Sequence, residues 1–305
     1  MNKNLDKFLR KKRAARNNIS KFASAFEFHN QELIYYAEHG KVNREIPPQR
    51  KDLPYLPWAL LKSEMSTSQT LCELHVEATF IEEGSVARGW LTKTVKYGLL
   101  GGAINLFSYQ RAANVLGKEA IGLIRPDDIF NICIAVILGD YDNADKIFIY
   151  LSEAYNRGWI NRSKSHLTDF MLLLFAQYKT ERLSCTVNDF AYQHIVDDWD
   201  TVNPDKIKSY ITLLCDDQVM QVAAPPSKCF FEFNNMNWQF IPYPVLMLLA
   251  LRKVRGIDTP DIEHPAFGIL NDIHLVDGDD VHDEVFEQLT AKLQQQGFDM
   301  NSMFS

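Results

Sequence analysis

Apolar residues recur along most of this chain at the spacing of an α-helix. In residues 126–138 they form the i, i+3, i+4, i+7, i+8 stripe that one face of a helix buries. The members of the stripe are Ile129, Ile132, Cys133, Val136 and Ile137. Gly139 interrupts the pattern. Asp142 is predicted to cap a second helix, and Gly158 is predicted to end that helix. The two segments predict a helical hairpin of about 30 residues, the size of one α-solenoid repeat.

The same periodicity predicts further helices on both sides of this hairpin. Their approximate ranges are 3–39, 68–80, 165–178, 206–222, 242–255 and 281–296. Gly40 and Gly256 follow two of these segments and are typical helix stops. Residues 228–233 are the best strand candidate, and no partner strand is evident. We therefore predict an all-α fold, an irregular antiparallel α-α array of about eight to eleven helices with at most a minor β-hairpin.

Prolines divide the chain into three parts. Residues 46–58 carry four prolines, a density that no helix tolerates, because proline lacks the backbone N–H and clashes with the preceding turn. We expect a basic N-terminal helical arm over residues 1–45, a proline-rich crossing over 46–60, and a single helical domain over 61–305. With 305 residues, of which 46% are hydrophobic, the chain is long enough to bury a large core.

Charge is distributed unevenly along the chain. The net charge is −7, but residues 1–51 hold 12 Lys and Arg against 5 Asp and Glu, whereas residues 189–305 hold 7 against 19. Binding to phosphates needs positive charge, so the acidic third argues against a nucleic-acid partner and suits a basic protein. The basic run at residues 10–16 is interpreted as a solvated helix face.

The five cysteines indicate free thiols in a reducing compartment. Their number is odd, their spacing is wide, and no CxxC pair occurs, so neither a disulfide framework nor a zinc site is expected. No secretory signal is evident, and no apolar run reaches the roughly 20 residues that span a bilayer. We expect a cytoplasmic protein with no metal, no cofactor and no membrane contact.

Two segments resemble parts of ligand-binding motifs. The glycines near residue 100, Gly98, Gly101 and Gly102, lack the lysine of a phosphate-binding loop, and close packing between helices explains them better. Residues 277–284 contain many carboxylates but do not match an EF-hand calcium loop that begins at Asp277. Such a loop needs an oxygen ligand at position 5 and glycine at position 6, whereas Val281 stands at position 5 and position 6 is not glycine. This segment is interpreted as an acidic loop that ends in a helix N-cap.

A third segment combines two carboxylates with a histidine. Glu73 and Glu77 are one helical turn apart, and such a pair can perform general acid–base chemistry. His75, however, points away from their shared face, so a solvated helix face is the expected arrangement. For each candidate motif in the sequence, a structural explanation is favoured over a catalytic one. The chain is therefore not expected to be an enzyme.

The acidic third contains the candidate residues for binding a partner. They are Asp197, Asp198, Asp200, Asp216, Asp217, Asp277, Asp279, Asp280, Asp283 and Glu284. Carboxylates so concentrated repel one another, and they can attract a basic partner and accelerate its association. Trp199 is a candidate anchor that the partner would bury, since aromatic residues dominate interface energetics. The alternative is a solvated acidic surface that only keeps the protein soluble.

Two stretches of the chain carry a resemblance to a known family. One is residues 129–154 (IFNICIAVILGDYDNADKIFIYLSEA), with the break at Gly139-Asp140. The other is residues 241–270, where an apolar helix ends at Gly256 before an acidic turn and a His264-Pro265 step. Both stretches resemble the all-α Immunity protein 49 group of bacterial polymorphic-toxin immunity proteins. Together they cover under a quarter of the chain, and the resemblance carries over no binding residues.

The resemblance implies a non-catalytic cytoplasmic protein that binds and neutralises a cognate toxin or secreted effector. The basic cleft of a toxin that acts on nucleic acid would fit the acidic third of this chain. The alternative is a helical-repeat adaptor or regulatory scaffold that binds a different protein.

Overall fold

A computed structural model describes residues 3–46, 56–116, 126–156, 166–183, 190–225, 233, 238–278 and 282–300. In this part of the chain there are eleven α-helices, so the predicted all-α fold is confirmed. They are α1 (Lys3–Ala15), α2 (Asn18–His39), α3 (Leu56–Glu83), α4 (Arg88–Leu116), α5 (Pro126–Leu138), α6 (Tyr141–Asn156), α7 (His166–Tyr178), α8 (Gln193–Asp197), α9 (Pro204–Ala223), α10 (Tyr243–Val254) and α11 (Glu284–Gln295). Among these helices, none is both long and apolar enough to cross a membrane.

Four strands of two residues each complete the described structure. β1 (Val86–Ala87) pairs in parallel with β4 (Leu275–Val276), which ties the α3–α4 connection to the C-terminal part of the chain. β2 (Glu263–His264) and β3 (Gly268–Ile269) form an antiparallel hairpin, and a short 3-10 helix follows it. The strand candidate at residues 228–233 lies outside the described residues, apart from Phe233.

The N-terminal segment forms two helices where the sequence predicts one. The break lies at Arg16-Asn17, and α2 ends as predicted at Gly40, which has a left-handed φ of 71°. The ring of Phe8 on α1 is fully buried, with its centroid 5.4 Å from that of Phe240 and 5.4 Å from that of Phe267. Helix α1 packs against α9, and α2 packs against α3 and α11. Both helices therefore add side chains to the core that the later helices form.

Helix α3 begins earlier than predicted. Its first residue is Leu56, so residues 56–60 are helical and not part of an extended crossing. Pro57 lies in the first turn, where the backbone N–H that proline lacks would have no partner within the helix. The proline rule was therefore applied too broadly at this end of the segment; residues 47–55 lie outside the described part.

Helices α3 and α4 form the central pair, and glycines on α4 allow close approach of the next layer. A Cβ atom on Gly102 would lie 2.5 Å from the Tyr150 hydroxyl of α6, and one on Gly98 would collide with the Asn131 side chain of α5. The interpretation as packing residues is thus confirmed for Gly98 and Gly102, whereas a Cβ atom on Gly101 would lie at an ordinary 3.5 Å from the Lys62 side chain. Helix α5 lies against α4, α6, α7 and α10, which explains why it is buried on nearly every side.

The hairpin of α5 and α6 is closed by backbone hydrogen bonds. Gly139 has a φ of 74° and donates to Val136 O at 3.0 Å, and Asp140 N donates to Ala135 O at 2.9 Å. The cap of α6 is Asp140 and not Asp142 as predicted, because Asp140 Oδ1 accepts from Asn143 N at 3.2 Å. Asp142 lies within the first turn, where a carboxylate interacts favourably with the helix dipole.

A fully buried arginine on α10 joins two loops. The Arg252 guanidinium donates to the backbone oxygens of Trp199, Thr201 and Asp258 at 2.8 to 2.9 Å, and to the hydroxyl of Thr259 at 2.8 Å. All four acceptors are uncharged oxygen atoms. Through these hydrogen bonds, Arg252 fixes the loop after α8 and the loop after α10 in place.

Candidate functional site

A groove of about 490 Å³ opens between α2, α3, α4 and the start of α11. Each long helix contributes one stripe of side chains. These are Ile19, Ala23, Phe26, Glu27 and Asn30 from α2, Ser68, Leu71, Cys72 and His75 from α3, and Trp90, Lys93 and Tyr97 from α4. A concave surface of this size, with apolar walls and a few polar groups, is the usual form of a binding site.

Two stacked rings form part of the groove wall. The imidazole of His75 lies parallel to the indole of Trp90, with centroids 4.0 Å apart and an interplanar angle of 6°. Burial, together with the positive charge of Lys93, lowers the pKa of His75, so its imidazole is neutral at neutral pH. The pair therefore presents an uncharged, flat aromatic surface to any molecule in the groove.

The end of the groove at α11 is polar and internally paired. Lys93 Nζ lies 3.2 Å from Asp283 Oδ2, and the Tyr97 hydroxyl donates to Asp283 Oδ1 at 3.3 Å. Asp283 Oδ1 also accepts from Phe286 N at 3.0 Å, which confirms the predicted N-cap. Glu27 and Glu284 are exposed at the rim. The groove thus contains three carboxylates and one ammonium group.

Two groups in the groove that could perform covalent chemistry, the Cys72 thiol and the Tyr97 hydroxyl, have raised pKa values. The thiol of Cys72 is buried, and burial raises its pKa to about 12, so the nucleophilic thiolate is scarce at neutral pH. Burial and the nearby Asp283 carboxylate raise the pKa of Tyr97 as well. The arrangement is suited to noncovalent recognition.

Glu73 and Glu77 do not lie on a solvated face, as the sequence analysis expected, but inside the molecule. Glu73 is 6% exposed and Glu77 is 1% exposed. Gln69 Nε2 donates to Glu73 Oε1 at 3.0 Å and to Asn131 Oδ1 at 2.8 Å, which links Glu73 to α5. The expectation was wrong because α3 packs on several sides, so that its polar face also meets other helices. His75 does point away from both carboxyls, towards the groove.

The carboxyl group of Glu77 is strongly perturbed by its surroundings. Its pKa is raised to about 8, mainly by burial and also by the nearby Glu73, whereas the backbone amides of Phe240 and Gln239 and the ammonium of Lys12 act to lower it. Neither carboxyl oxygen makes a hydrogen bond of normal geometry to the described residues. Glu77 is therefore mostly protonated at neutral pH, and it faces the core rather than the groove.

The predicted carboxylates of α8 and α9 lie on another part of the molecule. Asp198 Oδ2 accepts from Lys206 Nζ at 3.0 Å and from the Tyr210 hydroxyl at 2.8 Å, and these hydrogen bonds lower the pKa of Asp198. Asp216 Oδ1 lies 3.2 Å from His264 Nε2, and Asp217 accepts from Tyr192 at 3.1 Å. Asp197 and Asp200 are exposed. This acidic surface contacts its own chain through several hydrogen bonds.

The remaining predicted residues fall into four situations. Asp277 pairs with Arg88 at 2.6 Å near β1, Asp279 and Asp280 lie outside the described residues, and Asp283 and Glu284 line the groove. Trp199 is only 5% exposed, and its ring packs near Tyr178. Its indole is already buried in the chain's own core, so in this conformation it is not available as an anchor for a partner.

Several groove residues were missed by sequence reasoning. Trp90, Lys93 and Tyr97 are spaced as one face of a helix, and so are Phe26 and Glu27 with their neighbours on α2. This spacing is visible in the sequence. What the sequence does not show is that the three stripes converge, since that depends on how α2, α3 and α4 pack.

Comparison with known proteins finds no relative of the chain. No family model matches it, and no match was found among curated proteins or among solved structures.

Proposed function

We propose that this chain is a stoichiometric binding protein that neutralises a cognate toxin or secreted effector, and that the groove between α2, α3, α4 and α11 receives a segment of that partner. The observation that carries the proposal is the groove itself, an aromatic concavity with an acidic rim. The resemblance of residues 129–154 and 241–270 to immunity proteins is the reason for naming a toxin as the partner.

The lining of the groove favours a partner segment that is both apolar and basic. The Trp90 and His75 rings and the side chain of Phe26 offer an apolar surface for an inserted side chain. Glu27 and Glu284 at the rim are exposed, so they can pair with lysine or arginine residues beside that side chain. Lys93 and Asp283 already neutralise each other and therefore add little net charge.

Binding by occlusion needs no catalytic group in the groove. The protonated thiol of Cys72 and the neutral, stacked imidazole of His75 fit this requirement. A toxin that recognises an anionic substrate would present basic residues near its active site, and acidic residues of this chain would compete for them. The carboxylates of α8 and α9 are a second surface that can attract the same partner over a longer range.

The test uses the protein encoded by the gene adjacent to this one as the probe. Ala23 is exposed and lines the groove, so Ala23→Trp fills it without disturbing the core, and we expect binding at least about tenfold weaker. The double variant of Glu27→Lys and Glu284→Lys should slow association and reduce its dependence on salt. The control is Glu38→Lys, an exposed carboxylate on α2 outside the groove.

Growth of cells that produce the partner separates the alternatives. Protection by the parent chain and its loss in Ala23→Trp support toxin neutralisation through the groove. Binding without protection favours the adaptor alternative instead. If the adjacent gene product does not bind the parent chain, toxin neutralisation is overturned; if Ala23→Trp binds as the parent does, the groove is not the interface.

A further inference from the structure

A second concave surface lies between α10 and the segment that follows it, on residues that the groove does not use. This cleft has a volume of about 610 Å³ and also borders β1 and the end of α5. About half of its wall is apolar, and the rest is polar. The aliphatic side chains include Val86, Ile137, Leu246, Leu249, Leu270 and Ile273. A cleft of this volume, in which apolar side chains stand beside a few polar groups, is typical of a site for a small molecule.

Two cationic side chains from different elements complete the lining. Lys253 is exposed in the last turn of α10, and Arg88 follows β1. Arg88 pairs with Asp277, but the two side chains are 45% and 85% exposed, so water screens this ion pair and a ligand can replace it. Within the described lining, Asp258 is the one carboxylate. The cleft therefore combines an apolar wall with a positive balance of charge.

Polar groups of the backbone and side chains further define the mouth of the cleft. Thr259 Oγ1 accepts from the buried Arg252 at 2.8 Å, which leaves the hydroxyl proton of Thr259 free to donate to another group. Asn271 Nδ2 donates to Thr259 O at 3.2 Å and holds the 257–259 segment against the 270–275 segment. These bonds link the 257–259 segment of the wall to α10 and to the 270–275 segment.

We propose that this cleft binds a small amphipathic carboxylate. The hydrocarbon or aromatic part of the ligand lies against Leu246, Leu249 and Ile273, and its carboxylate pairs with Lys253 or Arg88. Charge complementarity favours an anion, since Lys253 and Arg88 outnumber Asp258 among the charged side chains of the lining. The proposal concerns a site separate from the groove and does not depend on the partner assigned there.

Isothermal titration of the full chain with naphthaleneacetate tests the proposal. We expect saturable binding, and binding at least about tenfold weaker for naphthylmethylammonium, which has the same ring system and the opposite charge. Lys253→Glu should weaken binding of naphthaleneacetate by about tenfold or more, and Ala250→Trp, which fills the cleft, should abolish it. Lys96→Glu, an exposed lysine on α4 outside the cleft, is the matched control.

The outcomes separate specific from unspecific binding. Discrimination between the two probes, together with loss in Lys253→Glu but not in Lys96→Glu, supports the assignment. Absence of binding, equal affinity for both probes, or full binding by Ala250→Trp overturns it. Because Lys253 is exposed, its variant is expected to fold, and a circular dichroism spectrum identical to that of the parent verifies this.

Discussion

Replacement of Glu77 by glutamine is expected to stabilise the protein increasingly as pH rises from about 4.5 to about 8. The carboxyl group is 1% exposed, and burial raises its pKa from 4.5 to about 8. Between these values the unfolded chain releases the proton and the folded chain keeps it, so the free energy of unfolding falls with pH. At about 1.4 kcal/mol for each pH unit, the total loss is roughly 5 kcal/mol.

Glutamine has nearly the same shape and no proton to release, so the variant does not suffer this loss. We expect the two proteins to be similar near pH 4.5, and Glu77→Gln to be more stable by at least about 2 kcal/mol near pH 8, with allowance for relaxation of the site. Urea unfolding, followed by circular dichroism at several pH values, measures the difference. Glu82→Gln, an exposed carboxyl on the same helix, is the control and should show no such trend.

The measurement is confined to pH values below about 8. Above that pH the titration of Lys12 raises the free energy of unfolding, which is the opposite of the effect of Glu77. Burial lowers the pKa of Lys12 to about 8, against the attraction of Glu77. A lysine with a lowered pKa makes the protein more stable as pH rises from about 8 towards the ordinary value of 10.5. A constant difference between Glu77→Gln and the parent across the range would refute the assignment of a buried, protonated Glu77.

Three further substitutions test the packing that positions the site. Arg252→Met should lower the free energy of unfolding by about 3 kcal/mol, measured by urea unfolding, because four acceptors lose their donor; a change under about 1 kcal/mol would contradict this. Gly102→Ala should cost about 1–3 kcal/mol in the same assay, because its Cβ meets Tyr150 at 2.5 Å, and an unchanged midpoint would show that Tyr150 can move. Asp283→Ala should cost about 1 kcal/mol through loss of the α11 cap, detected as a lower melting temperature, whereas Asp277→Ala, which caps no helix, should have little effect.

Sequence periodicity located most helices but not all of their ends. The helix predicted from the α5 stripe and the stop at Gly40 are local features, determined by residues within one or two turns, and both are confirmed by the structure, although α5 is buried on nearly every side and not on one face alone. The break between α1 and α2, the helical start at Leu56 and the Asp140 cap were predicted incorrectly. Each of these cases concerns a helix end, where neighbouring residues compete to cap or to continue the helix and residue type alone does not decide between them.

The sequence by itself determined the helical class, the hairpin of α5 and α6, the need for close approach at the α4 glycines and the concentration of carboxylates in the last third. These properties depend on residue type and on short-range spacing. Only the tertiary structure decided which polar residues are buried and which surfaces converge. Glu77 and Trp199 lie in the core, while Trp90, Lys93 and Asp283 come together from distant positions in the chain. A polar residue on a helix is exposed or buried according to what packs against that face, and this is a property of the whole fold.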